Sequence, residues 1–322
     1  MDNFIVLQSI VKLGLKTLRY LPGAAICVGT ALIFPSNGQA QNLFETDEYS
    51  GNIYEFTPSG VRSTFASGLV EPGTLAFNSA GDLFVSSFNG GTITEITPDG
   101  VKSTFASGLN YPVGLAFNST GDLFVGLAGS IIEIAPDGRQ STFADVLSPN
   151  GMAFDSAGDL FVEGVSNFGF PSSANIYEIT PAGVVSPFVS GLNYTASGMA
   201  FDGAGDLFVE KFGFTGARNG GVYEYTPGGI QSTFVASGLT EPNDGPAFNS
   251  TGDLFIPNNG TTANTGFISE ITPNGTVSTF ASGLDAPVGL AFQGETLPVP
   301  EPSAWGLLVI GTVTLFVRRR RS

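Results

Sequence analysis

The chain has 322 residues, among them 44 Gly, 20 Pro and 28 Phe, and only 12% are charged. That length admits two average domains or one large all-β domain. The Phe content supplies the apolar area that a disordered chain lacks. Twelve Lys and Arg stand against 28 Asp and Glu, a net charge of −16, which excludes nucleic acid as a partner because phosphate binding needs a basic face. With no His and a single Cys, a His general base, a Ser-His-Asp triad, a His-ligated metal and an intrachain disulfide are all excluded.

Residues 1–40 read as a signal peptide. Lys12, Lys16 and Arg19 form a basic start, Leu21 to Phe34 is mostly apolar, and Gly38-Gln39-Ala40 is a small-residue cleavage site. The apolar run is short for a membrane span. Cys27 lies inside it and follows Ile26, not the small residue a lipoprotein cysteine would want. Cleavage after residue 40 would leave a chain without Cys.

Residues 41–296 are a repeat. Gly81-Asp82-Leu83-Phe84-Val85 recurs at Gly121, Gly158, Gly205 and Gly252, with Asn42-Leu43-Phe44 as a degenerate first copy. The Leu positions are 43, 83, 123, 160, 207 and 254, so the periods are 40, 40, 37, 47 and 47. Three further motifs accompany it: Leu75-Ala76-Phe77, Ile93-Thr94-Glu95-Ile96-Thr97-Pro98-Asp99-Gly100 and Ser103-Thr104-Phe105. Each repeat therefore holds four short strand-like segments separated by Gly, Pro, Asn and Asp. Four strands at this period make a propeller blade, so the expected fold is an all-β, six-bladed β-propeller. The region starts at a second strand near Leu43 and ends with a first strand, Gly289-Leu290-Ala291-Phe292. The last segment is thus expected to complete the first blade and close the ring without a free edge.

Two repeated acids read as structural. Glu55, Glu95, Glu133, Glu178, Glu224 and Glu270 share one strand position in all six copies, more copies than one site needs. The Asp of each Gly-Asp-Leu, such as Asp82 and Asp122, follows an Asn-Ser or Asp-Ser turn and suits hydrogen bonding to nearby backbone N–H groups.

The repeats differ most between the second and third strands. The fourth to sixth blades carry long connections there: Glu163 to Asn175, Glu210 to Gly221 and Pro257 to Phe267, thirteen, twelve and eleven residues. One half of one face is therefore built up, and loops on a rigid scaffold commonly carry function. Phe168, Phe170, Phe212 and Phe214, with Asn167, Asn219 and Asn258, are the candidate ligand-face residues, since apolar rings beside amides suit stacking on and hydrogen bonding to a polysaccharide.

The C-terminal stretch 297–322 has a Pro300-Glu301-Pro302 core, an apolar run from Ala304 to Val317, and Arg318, Arg319, Arg320 and Arg321. This three-part tail resembles the PEP-CTERM sorting signal of Gram-negative bacteria. The resemblance implies processing by an exosortase, transient contact with the inner membrane through the C-terminal helix, and an address at the cell surface or outside the cell. It also implies association with exopolysaccharide. Signal peptidase would be the second processing enzyme. Removing both ends takes away seven of the twelve basic residues and two of the 28 acidic ones. The middle then holds five bases against twenty-six acids, a surface that repels anionic partners.

Two residues before the Leu or Met of each first strand, the ring reads Gly73, Val113, Asn150, Ser197, Asp244 and Val288. Pro149-Asn150-Gly151-Met152-Ala153-Phe154 and Asn243-Asp244-Gly245 resemble the metal-binding turns of the gluconolactonase and senescence-marker-protein propellers, and the repeat is similar, more loosely, to NHL-repeat propellers. The resemblance implies one divalent cation such as calcium, held in that family by Glu, Asn, Asn and Asp. The corresponding set here is Gly73, Asn150, Ser197 and Asp244, so Asn150 and Asp244 are the retained metal candidates, and Asp244 is the implied catalytic residue. Glu71 lies nearby but two residues out of register. The first expectation is an exported binding or structural module without catalysis. The alternative is a metal-dependent gluconolactonase-like hydrolase with a degenerate site. A purely structural component of the envelope is the third.

Overall fold

The computed structural model describes residues 41–165, 174–192, 195–212, 219–260 and 262–294. The expected signal peptide and sorting tail lie outside the described residues. Within them the chain forms six four-stranded antiparallel sheets.

Blade one contains β1 (Leu43–Asp47), β2 (Asn52–Phe56) and β3 (Arg62–Ala66). Blade two is β4 (Pro72–Phe77), β5 (Leu83–Ser87), β6 (Thr92–Ile96) and β7 (Lys102–Ser107). Blade three is β8 (Leu115–Phe117), β9 (Leu123–Gly126), β10 (Ile131–Ile134) and β11 (Gln140–Ala144). Blade four is β12 (Met152–Phe154), β13 (Leu160–Val165), β14 (Ala174–Ile179) and β15 (Val185–Leu192). Blade five is β16 (Thr195–Phe201), β17 (Leu207–Phe212), β18 (Asn219–Tyr225) and β19 (Gln231–Thr240). Blade six is β20 (Ala247–Phe248), β21 (Leu254–Asn258), β22 (Gly266–Ile271) and β23 (Val277–Leu284). The last strand, β24 (Pro287–Phe292), pairs with β1 through Leu43–Phe292 and Glu45–Leu290 and completes blade one. The expected six-bladed ring, and its closure by the last strand, are what the chain builds.

The second strand of each blade is apolar because it is covered on both sides. β1, β5 and β21 are buried at every residue, whereas β3 and β7 on the outer edge begin with three exposed residues. The Phe content is spent on the contacts between blades. Phe44 stands edge-on to Phe65 and Phe77, Phe84 to Phe105 and Phe117, and Phe124 to Phe143 and Phe154. The pattern continues with Phe161, Phe188 and Phe201, then Phe208, Phe234 and Phe248, then Phe255, Phe280 and Phe292. Each triad joins two strands of one blade to the first strand of the next, with centroids 4.7–5.0 Å apart, the favoured edge-to-face geometry.

The turns bear out the structural reading of the repeated acids. Asn78 Oδ1 accepts the Asp82 N–H at 2.8 Å while its Nδ2 donates to Asp82 Oδ2 at 3.0 Å; the same amide–carboxylate bond recurs from Asn118 to Asp122 and from Asn249 to Asp253. Each repeated Glu lies opposite a Ser of the outermost strand, as in Glu95–Ser103 and Glu224–Ser232, and there the hydroxyls donate to the carboxylates at 3.2 and 3.0 Å.

Candidate functional site at the mouth of the central channel

The first strands surround a narrow central channel whose cavity is about 80 Å³. Thr74, Gly114, Gly151, Gly198, Gly245 and Gly289 line it. These strands approach backbone to backbone: a Cβ on Gly198 would lie 2.4 Å from Pro246 Cδ, and one on Gly151 would lie 2.8 Å from the Gly198 Cα. Five of these six lining residues are glycine, which leaves the chemistry to the residues at the rim.

Two rings supply those residues. The first is the expected one. Asn150 and Asp244 lie in the connections that lead into β12 and β20, and Ser197 lies in β16. Asn150 Nδ2 donates to Asp244 Oδ1 at 3.1 Å, so the two retained candidates are brought together from blades four and six. Gly73 offers only its carbonyl, which takes the Thr46 hydroxyl, and Val288 is buried and apolar. Glu71 is turned to Asn89, whose amide donates to its carboxylate.

The second ring is the fourth position of the second strands: Thr46, Ser86, Gly126, Glu163, Glu210 and Pro257. Thr46 reaches the Gly73 carbonyl of the next blade, whereas Ser86 and Glu210 bond to Thr74 and Ser197 of their own first strands. In blades four and five this position holds buried carboxyls, Glu163 and Glu210. Sequence reasoning placed both at the start of loops. The strands run on to Val165 and Phe212, which carries both acids inside the ring. The available signal was a Glu following Leu-Phe-Val in just these two blades.

The three acids hold their protons more tightly than free carboxyls because burial penalises the ionised form. Burial, then the neighbouring Asp244 charge, pushes Glu163 up to about 8, against hydrogen bonds from the Ala196 backbone and the Asn150 amide. Burial raises Asp244 to about 7; its bond from Asn150 opposes the rise and the charge of Glu48 adds to it. Glu210, fully buried, lies well above the usual carboxylate range through burial and Asp244, with the Ser197 hydroxyl acting the other way. Ser197 Oγ lies 3.1 Å from Glu210 Oε2 and 3.2 Å from the Pro242 carbonyl, whereas Glu210 Oε1 is buried with no hydrogen-bond partner among the described residues. Asp244 itself has φ +32°, a left-handed backbone that a non-glycine residue adopts at a cost of order 1–3 kcal/mol. Glu71, Tyr111, Ser148, Glu241 and Asn264 share this left-handed backbone, so the strain does not by itself distinguish Asp244.

For the divalent cation, the set implied by resemblance is incomplete, since Gly73 brings no side chain and the Ser197 hydroxyl is turned to Glu210. Among the described residues no three acidic side chains form a ready-made metal cluster. The mouth nonetheless offers carboxylate and amide oxygens, Glu210 Oε1 having no hydrogen-bond partner among the described residues, and a hard cation takes oxygen ligands. The fit is to the carboxylates of Asp244 and Glu163; Asn150, whose Nδ2 now donates to Asp244, would join them through Oδ1 once its amide turned over.

The other candidates fall differently. Asn258 is not on a loop surface: it is fully buried in β21, where its amide donates to the Ile256 carbonyl and to Ser269 Oγ and accepts the Thr240 N–H. It is a structural clamp between strands. The third long connection therefore starts after Asn258 and ends before Gly266. Asn167, Phe168, Phe170 and Phe214 lie outside the described residues, as do the side chains of Phe212 and Asn219.

The chain matches no protein-family model and no curated protein. Solved structures match 68–81% of the chain. A chain of the nidogen/laminin complex is 16% identical with a TM-score of 0.65, covering 79% of this chain and 98% of that one. Virginiamycin B lyase from Staphylococcus aureus is 17% identical with a TM-score of 0.57, covering 81% and 91%. A gluconolactonase from Xanthomonas campestris is 15% identical with a TM-score of 0.58, covering 68% and 78%. The chain is a six-bladed propeller of this kind. The expected likeness to gluconolactonase and NHL-repeat propellers holds at the level of fold.

Proposed function

We propose that the protein is a gluconolactonase-like hydrolase acting on a small lactone or ester at the channel mouth, with a divalent cation held by Asp244, Glu163 and Asn150. The observation that carries this reading is the meeting of those three residues, from blades four and six, around one hydrogen-bonded amide. A bound cation would polarise the substrate carbonyl and hold the carboxylates ionised. Asp244, fixed at Oδ1 by Asn150, is the group placed to take a proton from the attacking water. Water oxygen bonds to the carbonyl carbon, the ring C–O bond breaks, and the departing alkoxide takes the proton back from Asp244. Glu210 and Ser197 hold the rim behind it. The lyase neighbours support a different chemistry less well: a virginiamycin B lyase in which a histidine is replaced by alanine is catalytically inactive, and this chain has no His.

Hydrolysis of glucono-δ-lactone, followed by acid release with calcium, manganese or zinc present, tests the reading. Asp244→Asn is expected to lower the rate by about 10²-fold or more, with Ser103→Ala as an unaffected control. No hydrolysis by the unaltered protein under any of these cations would remove the hydrolase reading. On the sequence alone, the proposal also includes export: signal peptidase acting after residue 40, an exosortase acting at Pro300-Glu301-Pro302, and a surface or extracellular product beside exopolysaccharide. Cell fractionation with and without the Arg318–Arg321 cluster tests that part separately.

A further inference from the structure

The six blades provide an internal comparison at the second residue of the Ile-x-Glu motif in the third strand. Blades one, four and five carry Tyr54, Tyr177 and Tyr223 there. The tyrosine hydroxyl accepts a hydrogen bond from an amide two residues earlier, from Asn52 in blade one and Asn175 in blade four, at 3.0 Å in both. In blade one the Arg62 guanidinium covers the ring at 4.8 Å from its centroid and donates to the Gly283 carbonyl of the preceding blade at 3.1 Å. In blade five Lys211 lies 5.6 Å from the Tyr223 centroid.

Blade two keeps the cover and lacks the ring. Its residues at the Tyr and Asn positions are Thr94 and Thr92, and Lys102 stands where blade one has Arg62. Lys102 Nζ reaches the Ser67 carbonyl of the preceding blade, as Arg62 reaches Gly283. Beneath it lies an open crevice of about 370 Å³, lined by Leu69, Val70, Ser87, Thr92, Thr94 and Lys102 among others. That volume is in the range of small-molecule sites, about 300–1,000 Å³.

We propose that this crevice binds a small neutral aromatic molecule carrying a hydroxyl, a phenol, whose ring takes the seat that tyrosine fills in blades one, four and five. The ring lies under the Lys102 ammonium, a cation–π arrangement, against Leu69 and Val70. Its hydroxyl meets Thr92, at the position from which Asn52 and Asn175 bond the tyrosine hydroxyl. Neither the Thr92 nor the Thr94 hydroxyl is engaged by a residue of the described chain, so both are free to bond the ligand. The site is on a different blade from the channel-mouth acids and stands or falls independently of the hydrolase reading.

The test is a titration of the full-length protein with p-cresol, the tyrosine side chain itself, followed by saturation-transfer NMR. Saturable binding is expected, weakened at least about tenfold in Thr94→Tyr, where the protein's own ring fills the seat. Phe88→Ala, an exposed aromatic outside the crevice, is expected to bind as the unaltered protein does. Should Thr94→Tyr fail to fold by circular dichroism, Lys102→Ala replaces it, with weaker binding expected from loss of the covering charge. Absence of saturable binding in the unaltered protein overturns the proposal, as does affinity unchanged in the folded crevice variant.

Discussion

Glu45 occupies a core position that the other five blades give to Val85, Val125, Val162, Val209 and Ile256. It is fully buried beside the closing strand, and neither carboxyl oxygen has a hydrogen-bond partner among the described residues. Burial first, then the charge of Asp47, raises it well above 4.5, while Arg62 acts weakly the other way. Between the unfolded and the raised folded value, the folded chain holds this carboxyl protonated while the unfolded chain ionises it. Stability is fullest below the unfolded value near 4.5 and falls as pH rises from there toward the folded value. Glu45→Val is expected to stabilise the protein at pH 4 by about 1–3 kcal/mol, the cost of an unsatisfied buried polar group, and by more at pH 7, where ionisation of Glu45 in the unfolded chain adds to the gain. Denaturant unfolding at the two pH values measures this. An equal gain at both would mean that the benefit is packing alone.

The Phe triads and the Asn–Asp turns are the elements on which the ring depends. Phe124 touches Phe143 in its own blade and Phe154 in the next, so one ring welds two sheets. Phe124→Ala is expected to cost about 3–5 kcal/mol, against roughly 1 kcal/mol or less for the exposed Val101→Ala, by the same unfolding measurement. These elements were legible in the sequence because each carries its own punctuation: Gly-Asp before the second strand, Thr-Pro-x-Gly after the third, Ser-Thr-Phe in the fourth. The channel acids were not, because a charged residue after Leu-Phe-Val reads as the end of a strand. Only the ring shows that the fourth position faces inward across the rim, so that Glu163 and Glu210 continue their strands into the mouth. Asn258 misled in the opposite way. An amide in a Pro-Asn-Asn-Gly run reads as a loop, yet its two donors and one acceptor tie three strands together in the interior.

At the scale of the molecule, the ring closes through β24 and brings Asn150, Glu163, Ser197, Glu210 and Asp244 from blades four to six to one side of the channel mouth. The same blades have the longest stretches of chain between second and third strands, between β13 and β14, β17 and β18, and β21 and β22. Acid is concentrated where the ring excludes water, and each carboxyl there resists ionisation in the presence of its neighbours. A divalent cation relieves that repulsion, and its binding to the folded chain alone raises thermal stability by mass action. The most direct test is therefore calorimetric titration of the purified full-length protein with calcium, then manganese and zinc, with melting temperature read in parallel. Saturable binding of one cation with a rise in melting temperature, both lost in Asp244→Asn and Glu163→Gln while the fold is retained, is the expected result. No heat and an unchanged melting temperature with all three cations would contradict a cation site at the mouth.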